Sequence, residues 1–286
     1  MKNQLSSYDI HPRKLYQVRP LQLYLRNFEF ISVLGEGEFG KVSLVRDRQS
    51  GQFHAIKQLS KHDIIQKKQI DHLRNELYIL NSVQHPFIVK MRGMMQDSRY
   101  VYICLDYVYG GELFTLLRKR QRFGKLQSSF YAAQVVMMLE HLHSFNIIYR
   151  DLKPENLLIS ADGYLKLTDF GFAKEVTNRT YTLCGTPEYI APEILKNIGH
   201  GKGADWWALG ILIYEMLVGI DPFNADNPMD MYRKILRGDL KFPERFYRDA
   251  KSIIKHLLQR NLSRRYGNLS KGKLTSLTGR ENASFL

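Results

Sequence analysis

Tyr149-Arg150-Asp151-Leu152-Lys153-Pro154-Glu155-Asn156, followed by Asp169-Phe170-Gly171, decides how the rest of this chain is read. A carboxylate (Asp151), a cation (Lys153) and two hard oxygen donors (Asn156, Asp169) fall within one short segment. Asp151 is suited to accept the proton of a hydroxyl, and Lys153 to neutralise charge on a migrating anionic group. Asn156 and Asp169 offer one amide and one carboxylate oxygen, a set that suits Mg²⁺ and leaves positions for substrate oxygens and water. Gly171 lets the backbone turn just past the second donor. Asp, Asn, Pro and Gly also populate ordinary turns, but turn chemistry does not account for their order together with the motifs upstream.

Gly35-Glu36-Gly37-Glu38-Phe39-Gly40-Lys41-Val42 fits G-x-G-x-x-G-x-V. Alone the motif is weak, because similar glycines open helices in dinucleotide-binding folds. Here Val42-Ser43-Leu44-Val45 continues as a strand. A glycine hairpin between two strands can bring its amides onto phosphate oxygens without Cβ clashes. In His54-Ala55-Ile56-Lys57 the lysine has apolar neighbours, so its ammonium needs an anion.

Composition bounds the reading. The 286 residues, 44% hydrophobic and 24% charged, suit one two-part domain or two small ones. No run of about eighteen apolar residues is present, so no transmembrane segment is expected. Residue 2 is Lys, not Gly, and the start has no apolar signal region. Cys104 and Cys184 make neither a disulfide framework nor a zinc site, which points to a reducing cytoplasmic setting, with the nucleus as the second choice. Lys+Arg 42 against Asp+Glu 28 gives a net charge of +14, clumped at Arg118-Lys119-Arg120 and at Arg264-Arg265. Without zinc-finger spacing or an aromatic ribonucleoprotein motif, this reads as a solvated basic surface rather than a specific nucleic-acid site.

Along the chain, Phe28 to Leu59 alternates apolar and polar residues between glycine breaks, which predicts three strands. Ile65, Leu73, Leu77 and Leu80 predict one helix over 62–81, and the apolar runs 87–95 and 100–106 predict two strands. His85-Pro86 reads as the turn between helix and strand. Helical patterns follow at 127–145, 205–219, 228–237 and 249–259, with an Asp162-Gly163 hairpin joining 157–159 to 165–167. The segments are 1–27 (an extension), 28–109 (strand-rich), 110–269 (helix-rich) and 270–286 (polar and divergent), with a ligand cleft expected between the two middle ones.

With these motifs in order, and with Thr180-Tyr181-Thr182-Leu183-Cys184-Gly185-Thr186-Pro187-Glu188 running on to Ala191-Pro192-Glu193, the chain resembles the AGC-group serine/threonine protein kinases, closest to the cyclic AMP-dependent protein kinase catalytic subunit with the cyclic GMP-dependent kinases next, from about Phe28 to Leu269. The resemblance implies an α+β fold: a bilobal kinase with an antiparallel β-rich N-lobe carrying one main helix and a helical C-lobe. It implies ATP and Mg as cofactors, and transfer of the γ-phosphoryl group to Ser/Thr hydroxyls. By position, Asp151 and Lys153 become catalytic, and Asn156 and Asp169 hold metal. Lys57 holds phosphates and is itself held by Glu76. Leu34, Gly35, Glu36, Gly37, Glu38, Phe39, Gly40, Val42, Ala55, Leu105, Asp106, Val108, Glu112 and Leu158 line the nucleotide site. Tyr149 stands where the general kinase signature has His, as the resembled family also has it.

The same resemblance makes Thr182 an activating phosphosite, its phosphate gathered by His72, Arg150 and Lys174. It pairs Glu193 with a buried Arg265. Glu112, Glu155 and Glu188 would read arginines upstream of the substrate Ser/Thr. Arg233 departs from the family, which has Glu there, so demand for a second adjacent arginine should be weaker. The implied partners are protein substrates with arginine before Ser/Thr and, since no cyclic-nucleotide domain is present, a regulatory subunit that binds the cyclic nucleotide. After Leu269 the likeness stops, and the expected C-terminal tail is not recognisable. This leaves an alternative in which a truncated, kinase-like chain serves as a binding or scaffold protein with little turnover.

Overall fold

The described residues form two differently built units, one centred on strands and one on helices. The computed structural model describes residues 21–37, 40–268 and 285. Glu38, Phe39 and the divergent C-terminal stretch other than Phe285 therefore lie outside the described residues. Of the described residues, one unit comprises those up to Gln69, Leu77–Gln84 and Lys90–Asp106; the other comprises Ile70–Glu76, His85–Val89 and those from Tyr107 onward.

The first unit is a six-stranded sheet. Its strands are β1 (Leu21–Gln22), β2 (Phe28–Gly37), β3 (Gly40–Asp47), β4 (Phe53–Ser60), β5 (Met91–Gln96) and β6 (Tyr100–Asp106), in the order β1-β5-β6-β4-β3-β2. All neighbours are antiparallel except β1 and β5. Phe28, Val45, Ile56, Met95, Tyr102 and Cys104 pack into a core on one face. The period of two turns the intervening positions to the other face. There the register sets Gly35 opposite Val42, Val42 opposite Lys57, and Ala55 opposite Leu105. Gly40 is required by a close approach, since a Cβ there would sit 1.8 Å from the carbonyl oxygen of Gln58.

The helix predicted over 62–81 is two helices: α1 (Lys61–Gln66) and α2 (Ile70–Ser82). Ser60 caps the first by accepting from the Asp63 amide, and Lys68 takes a left-handed φ of 54° between them. The predicted strand 87–95 begins only at Met91; Ile88 bridges Leu167 instead.

The second unit contains α3 (Leu113–Arg120), α4 (Lys125–Ser144), β7 (Ile147–Ile148), β8 (Leu157–Ile159), β9 (Leu165–Leu167), β10 (Lys174–Glu175), α5 (Pro192–Leu195), α6 (Gly203–Val218), α7 (Pro228–Arg237) and α8 (Arg248–Leu257). The sequence pattern does not predict α3. α6 is buried on all sides from Gly203 to Leu217, as a helix at the centre of a packed unit must be. It lies so near the end of α8 that a Cβ on Gly210 would come within 2.8 Å of Leu258. α7 matches its predicted span because both ends are written locally. Asn227 caps it, Pro228 opens it, and Gly238 ends it at φ 75°. No helix among the described residues is long and apolar enough to cross a membrane.

The His85-Pro86 turn packs on α4 through two imidazoles: His85 and His141 lie with ring centroids 4.9 Å apart. His85 Nδ1 accepts from the Phe87 amide at 3.1 Å, and Lys166, on β9, donates to the carbonyl of Pro86. Burial, then His141 and Lys166, hold the His85 pKa below its ordinary 6.5, and burial does the same for His141. The unfolded chain therefore binds protons more readily than the native one. The stability carried by this imidazole contact is at full strength above the ordinary imidazole pKa and weakens as pH falls through it. Urea midpoints measured at about pH 8 and about pH 5.5 should separate more for the native sequence than for His85→Phe, and equal separations would contradict this.

Candidate active site

The β8–β9 hairpin brings the two predicted oxygen donors to one end of a short ladder. Leu157 pairs with Leu167, and the Thr168 amide donates to the Asn156 carbonyl at 3.0 Å, so Asp169 emerges beside Asn156. The loop before β5 fixes β9 from its other side: Leu167 donates to Phe87 and Val89 donates to Leu167, at 2.8 and 2.9 Å. Asp169 has a φ of 55° and Arg150 one of 71°. Left-handed backbone at residues other than Gly, Asn or a helix cap costs on the order of 1–3 kcal/mol and concentrates at functional sites. A Cβ on Gly171 would lie 3.3 Å from Asp169 Oδ1 and 3.9 Å from Glu76 Oε2, so both predicted carboxylates flank this glycine.

Asp151 is buried and oriented from three directions. Asn156 Nδ2 donates to its Oδ2 at 2.9 Å and to its backbone carbonyl at 2.8 Å. Lys153 Nζ lies 3.1 Å from Oδ2. Thr186 Oγ1 accepts from Lys153 Nζ at 2.8 Å and donates to Asp151 Oδ1 at 3.0 Å. Thr186 stands within a motif of the sequence that gives it no role; no local signal distinguishes this hydroxyl from others in the segment. Because the amide nitrogen of Asn156 is engaged by Asp151, its carbonyl oxygen is the end left for a cation.

Two further residues hold this loop. Asp205, in the first turn of α6, accepts from the Tyr149 amide at 2.9 Å, the Arg150 amide at 2.8 Å and His143 Nε2 at 2.7 Å. The sequence motifs do not single it out, and its only signal is a charged residue at the head of an otherwise apolar helix. The Tyr149 hydroxyl donates to the carbonyl of Thr168 at 2.6 Å, and its ring meets Phe170 edge-on at 5.4 Å. Complete burial, reinforced by Asp169 and Asp151, drives that hydroxyl well above the usual tyrosine pKa, so it remains a donor.

The nucleotide-site residues divide between the units. In the first, Val42, Ala55, Lys57 and Leu105 share the sheet face away from the core. Glu36 stands between Gly35 and Gly37 opposite Lys41, and Leu34 is 45% exposed. Among the described residues, none lies within 4 Å of a Cβ built on Gly35, and only the Gly40 carbonyl oxygen, at 4.0 Å, meets one on Gly37. This open cradle fits phosphate oxygens approaching backbone amides. Asp106 accepts from Arg92. In the second unit, Val108 is buried, and Glu112 bridges Leu158 across an isolated antiparallel pair.

Glu112 and Glu155 are close enough to influence one another. Partial burial, then Glu155, raises the Glu112 carboxyl above its ordinary value, a repulsion that a guanidinium would relieve. Glu188 likewise raises the half-buried Asp221, where burial is the larger cause; Asp221 is not among the predicted residues. Thr182 and His72 are both exposed. Glu193 and Arg265 form the expected pair, with two parallel bonds of 2.6 and 2.9 Å at 2% and 0% side-chain exposure.

Among the described residues no three His, Cys, Asp or Glu side chains gather into a metal cage. The oriented Asn156 carbonyl and the Asp169 carboxylate fit a hard divalent cation, whose remaining ligands would come from phosphate and water.

The chain is similar to several known proteins. The chain is 52% identical over 248 residues to cAMP-dependent protein kinase type 3 of Saccharomyces cerevisiae, covering 87% of this chain and 62% of that protein. It is 52% identical over 250 residues to the cAMP-dependent protein kinase catalytic subunit of Dictyostelium discoideum, covering 87% and 39%. It is 48% identical over 248 residues to the human cAMP-dependent protein kinase catalytic subunit PRKX, covering 87% and 69%. The chain thus spans between about two fifths and two thirds of the length of these relatives. A glycine hairpin on a β-sheet, a lysine strand, a clamped Asp-Lys-Asn loop and the Asp169-Phe170-Gly171 turn agree with a family match over residues 28–273, and the chain belongs to the protein kinase domain family.

Proposed function

We propose that this chain is a serine/threonine protein kinase of the cytoplasm or nucleus. It transfers the γ-phosphoryl group of ATP to Ser/Thr hydroxyls of proteins that carry an arginine upstream, with Mg²⁺ as the metal. The observation that carries the reading is Asp151, held by Lys153, Asn156 and Thr186. A carboxylate fixed at both oxygens is poised to align one incoming hydroxyl and take its proton. The hydroxyl oxygen forms a bond to the γ-phosphorus, the bond from that phosphorus to the β,γ-bridging oxygen breaks, and ADP leaves. Lys153 neutralises charge on the group in transit. A divalent metal supplies further neutralisation of phosphate charge when bound, with Asn156 and Asp169 as its protein ligands.

Within the same reading, Gly35, Gly37 and Gly40 cradle phosphates, and Lys57 with Glu76 steadies them. Val42, Ala55, Leu105 and Val108 hold the adenine. Thr182, once phosphorylated, orders its segment. A separate cyclic-nucleotide-binding subunit supplies regulation, a reading supported by the relatives' being cAMP-dependent kinases by name. The test is incorporation of labelled phosphate from ATP into a serine peptide with upstream arginines. Loss of incorporation in Asp169→Ala supports the proposal, whereas undiminished incorporation in that variant overturns it.

Substrate choice should differ from that of the relatives in one respect. Arg233 lies exposed on α7, paired with Asp230 at 2.7 Å. A cation there repels a second substrate arginine, and like-charge juxtaposition is an effective device for specificity. Single Arg→Ala replacements in a peptide should give unequal losses, the larger at the arginine read by Glu112 and Glu155. Arg233→Glu should then bring the two losses closer together. Equal losses in the native chain would refute the idea.

A further inference from the structure

Three nitrogen-bearing side chains surround the segment that carries Thr182. Thr180 and His200 form an isolated antiparallel bridge, with N–H to O distances of 3.0 and 2.9 Å, which directs their side chains to one face of the pair. Lys174 Nζ donates to Thr180 Oγ1 on that face at 3.3 Å. Further on, the segment passes directly over Arg150: a Cβ on Gly185 would lie 2.8 Å from the Arg150 carbonyl oxygen. Thr182 lies in the chain between these two contacts, and its own side chain is exposed.

Two polar atoms near this segment are buried without a hydrogen-bond partner: Arg150 Nη1 and His200 Nε2. His200 is only 2% exposed. Arg150 places its Nε on the Phe172 carbonyl at 2.6 Å, which leaves Nη1 unanswered. Arg150 Nη1 is a donor, and His200 Nε2 is one in its Nε2–H tautomer; buried donors are nearly always satisfied, so two in one neighbourhood mark the place of a missing oxygen ligand. The carboxylates that also act on His200 are Glu193 and Asp205. Both are committed elsewhere, Glu193 to Arg265 and Asp205 to His143 and the Tyr149 and Arg150 amides. The cluster thus lacks an anion of its own.

We infer that His200 is a phosphate-binding residue, its Nε2–H joining the Arg150 guanidinium and the Lys174 ammonium around a phosphate carried by Thr182. This deepens the reading of Thr182 as a phosphorylated residue and rests on it. Burial, then Arg150, hold the His200 pKa low, with Lys174 adding to the effect against Glu193 and Asp205. The ring is therefore neutral before the phosphate arrives, with one N–H to offer it. A phosphate bringing nearly two negative charges offsets both cations and favours the imidazolium, so docking and protonation reinforce each other.

The experiment compares the full chain carrying phosphothreonine at 182, installed during translation, with the unphosphorylated chain. NMR follows the His200 ring nitrogens through a pH titration. The expected result is a midpoint that moves from below to above the ordinary imidazole value when Thr182 is phosphorylated. An unmoved midpoint overturns the inference on wild-type protein alone, whatever the variants do. Inorganic phosphate added to the unphosphorylated chain distinguishes the source: the same movement at millimolar concentration would assign the pocket to free anion and overturn the tethered arrangement.

A second measurement is the rate at which a phosphatase removes the phosphate. His200→Phe, which fills the space without a donor, should be dephosphorylated about tenfold faster than the native chain. His200→Gln, which restores a donor at a similar reach, should recover most of the protection. Equal rates in all three overturn the role of His200. If Arg150→Ala also leaves the rate unchanged, and the phosphorylated chain is no more active than the unphosphorylated one, the reading of Thr182 itself fails.

Discussion

Asp151→Asn is expected to lower turnover by about 10²–10⁴-fold, the usual contribution of a positioned general base. The substitution preserves size and can still accept from Lys153. The damage should therefore fall on turnover, with the peptide Michaelis constant nearly unchanged, because the arginine-reading carboxylates are elsewhere. Thr186→Val provides the graded comparison. It removes the hydroxyl that bridges Lys153 Nζ and Asp151 Oδ1 at 2.8 and 3.0 Å but leaves the carboxylate in place. Its loss should be smaller, since Asn156 and Lys153 still orient Asp151. Steady-state assays on both variants decide the matter, and a Thr186→Val loss equal to that of Asp151→Asn would mean that the hydroxyl, not the base, sets the rate.

Glu193→Ala should be the most destabilising of the substitutions considered, by about 3–5 kcal/mol, because it strands a buried guanidinium without its counter-charge. Arg265 is fully buried; besides its two bonds to Glu193, it donates to the Gly203 and Gln259 carbonyls at 2.9 and 2.8 Å and sits 5.1 Å from the Trp207 ring centroid. Removing both charges, in Glu193→Leu with Arg265→Met, should recover much of the lost stability, because replacing a buried pair with apolar groups is often nearly neutral. Denaturant midpoints across the double-mutant cycle provide the check. A double variant as unstable as Glu193→Ala would show that the carbonyl bonds of Arg265 matter more than its ion pair.

The parts of this architecture that can be read from sequence are those whose physics is local. α7 carries its own cap, opening proline and closing glycine, and its span matches the periodic pattern at both ends. The β8–β9 hairpin matches because Asp162-Gly163 states the turn, with Gly163 at φ 84°. The break at Lys68 is hidden because apolar spacing continues through it and no glycine or proline marks it. Ile88 and Val89 mislead for a different reason: an apolar run does not say which partner it will pair with, and these two pair with Leu167 rather than extend β5. The Asp151, Lys153 and Asn156 grouping is legible as a motif. Thr186 and Asp205 approach it from 35 and 54 positions away in the chain, where only tertiary packing brings them near.

The three bonds made by Asp205 also set a clock. The amides of Tyr149 and Arg150 donate to a carboxylate that is 1% exposed at the head of the most enclosed helix. Deuterium can enter those amides only when that end of α6 detaches. Their exchange should therefore keep pace with the slowest protons of α6 itself, far behind the amides of the neighbouring surface turns, and the loop that handles chemistry would be among the last parts of the molecule to loosen.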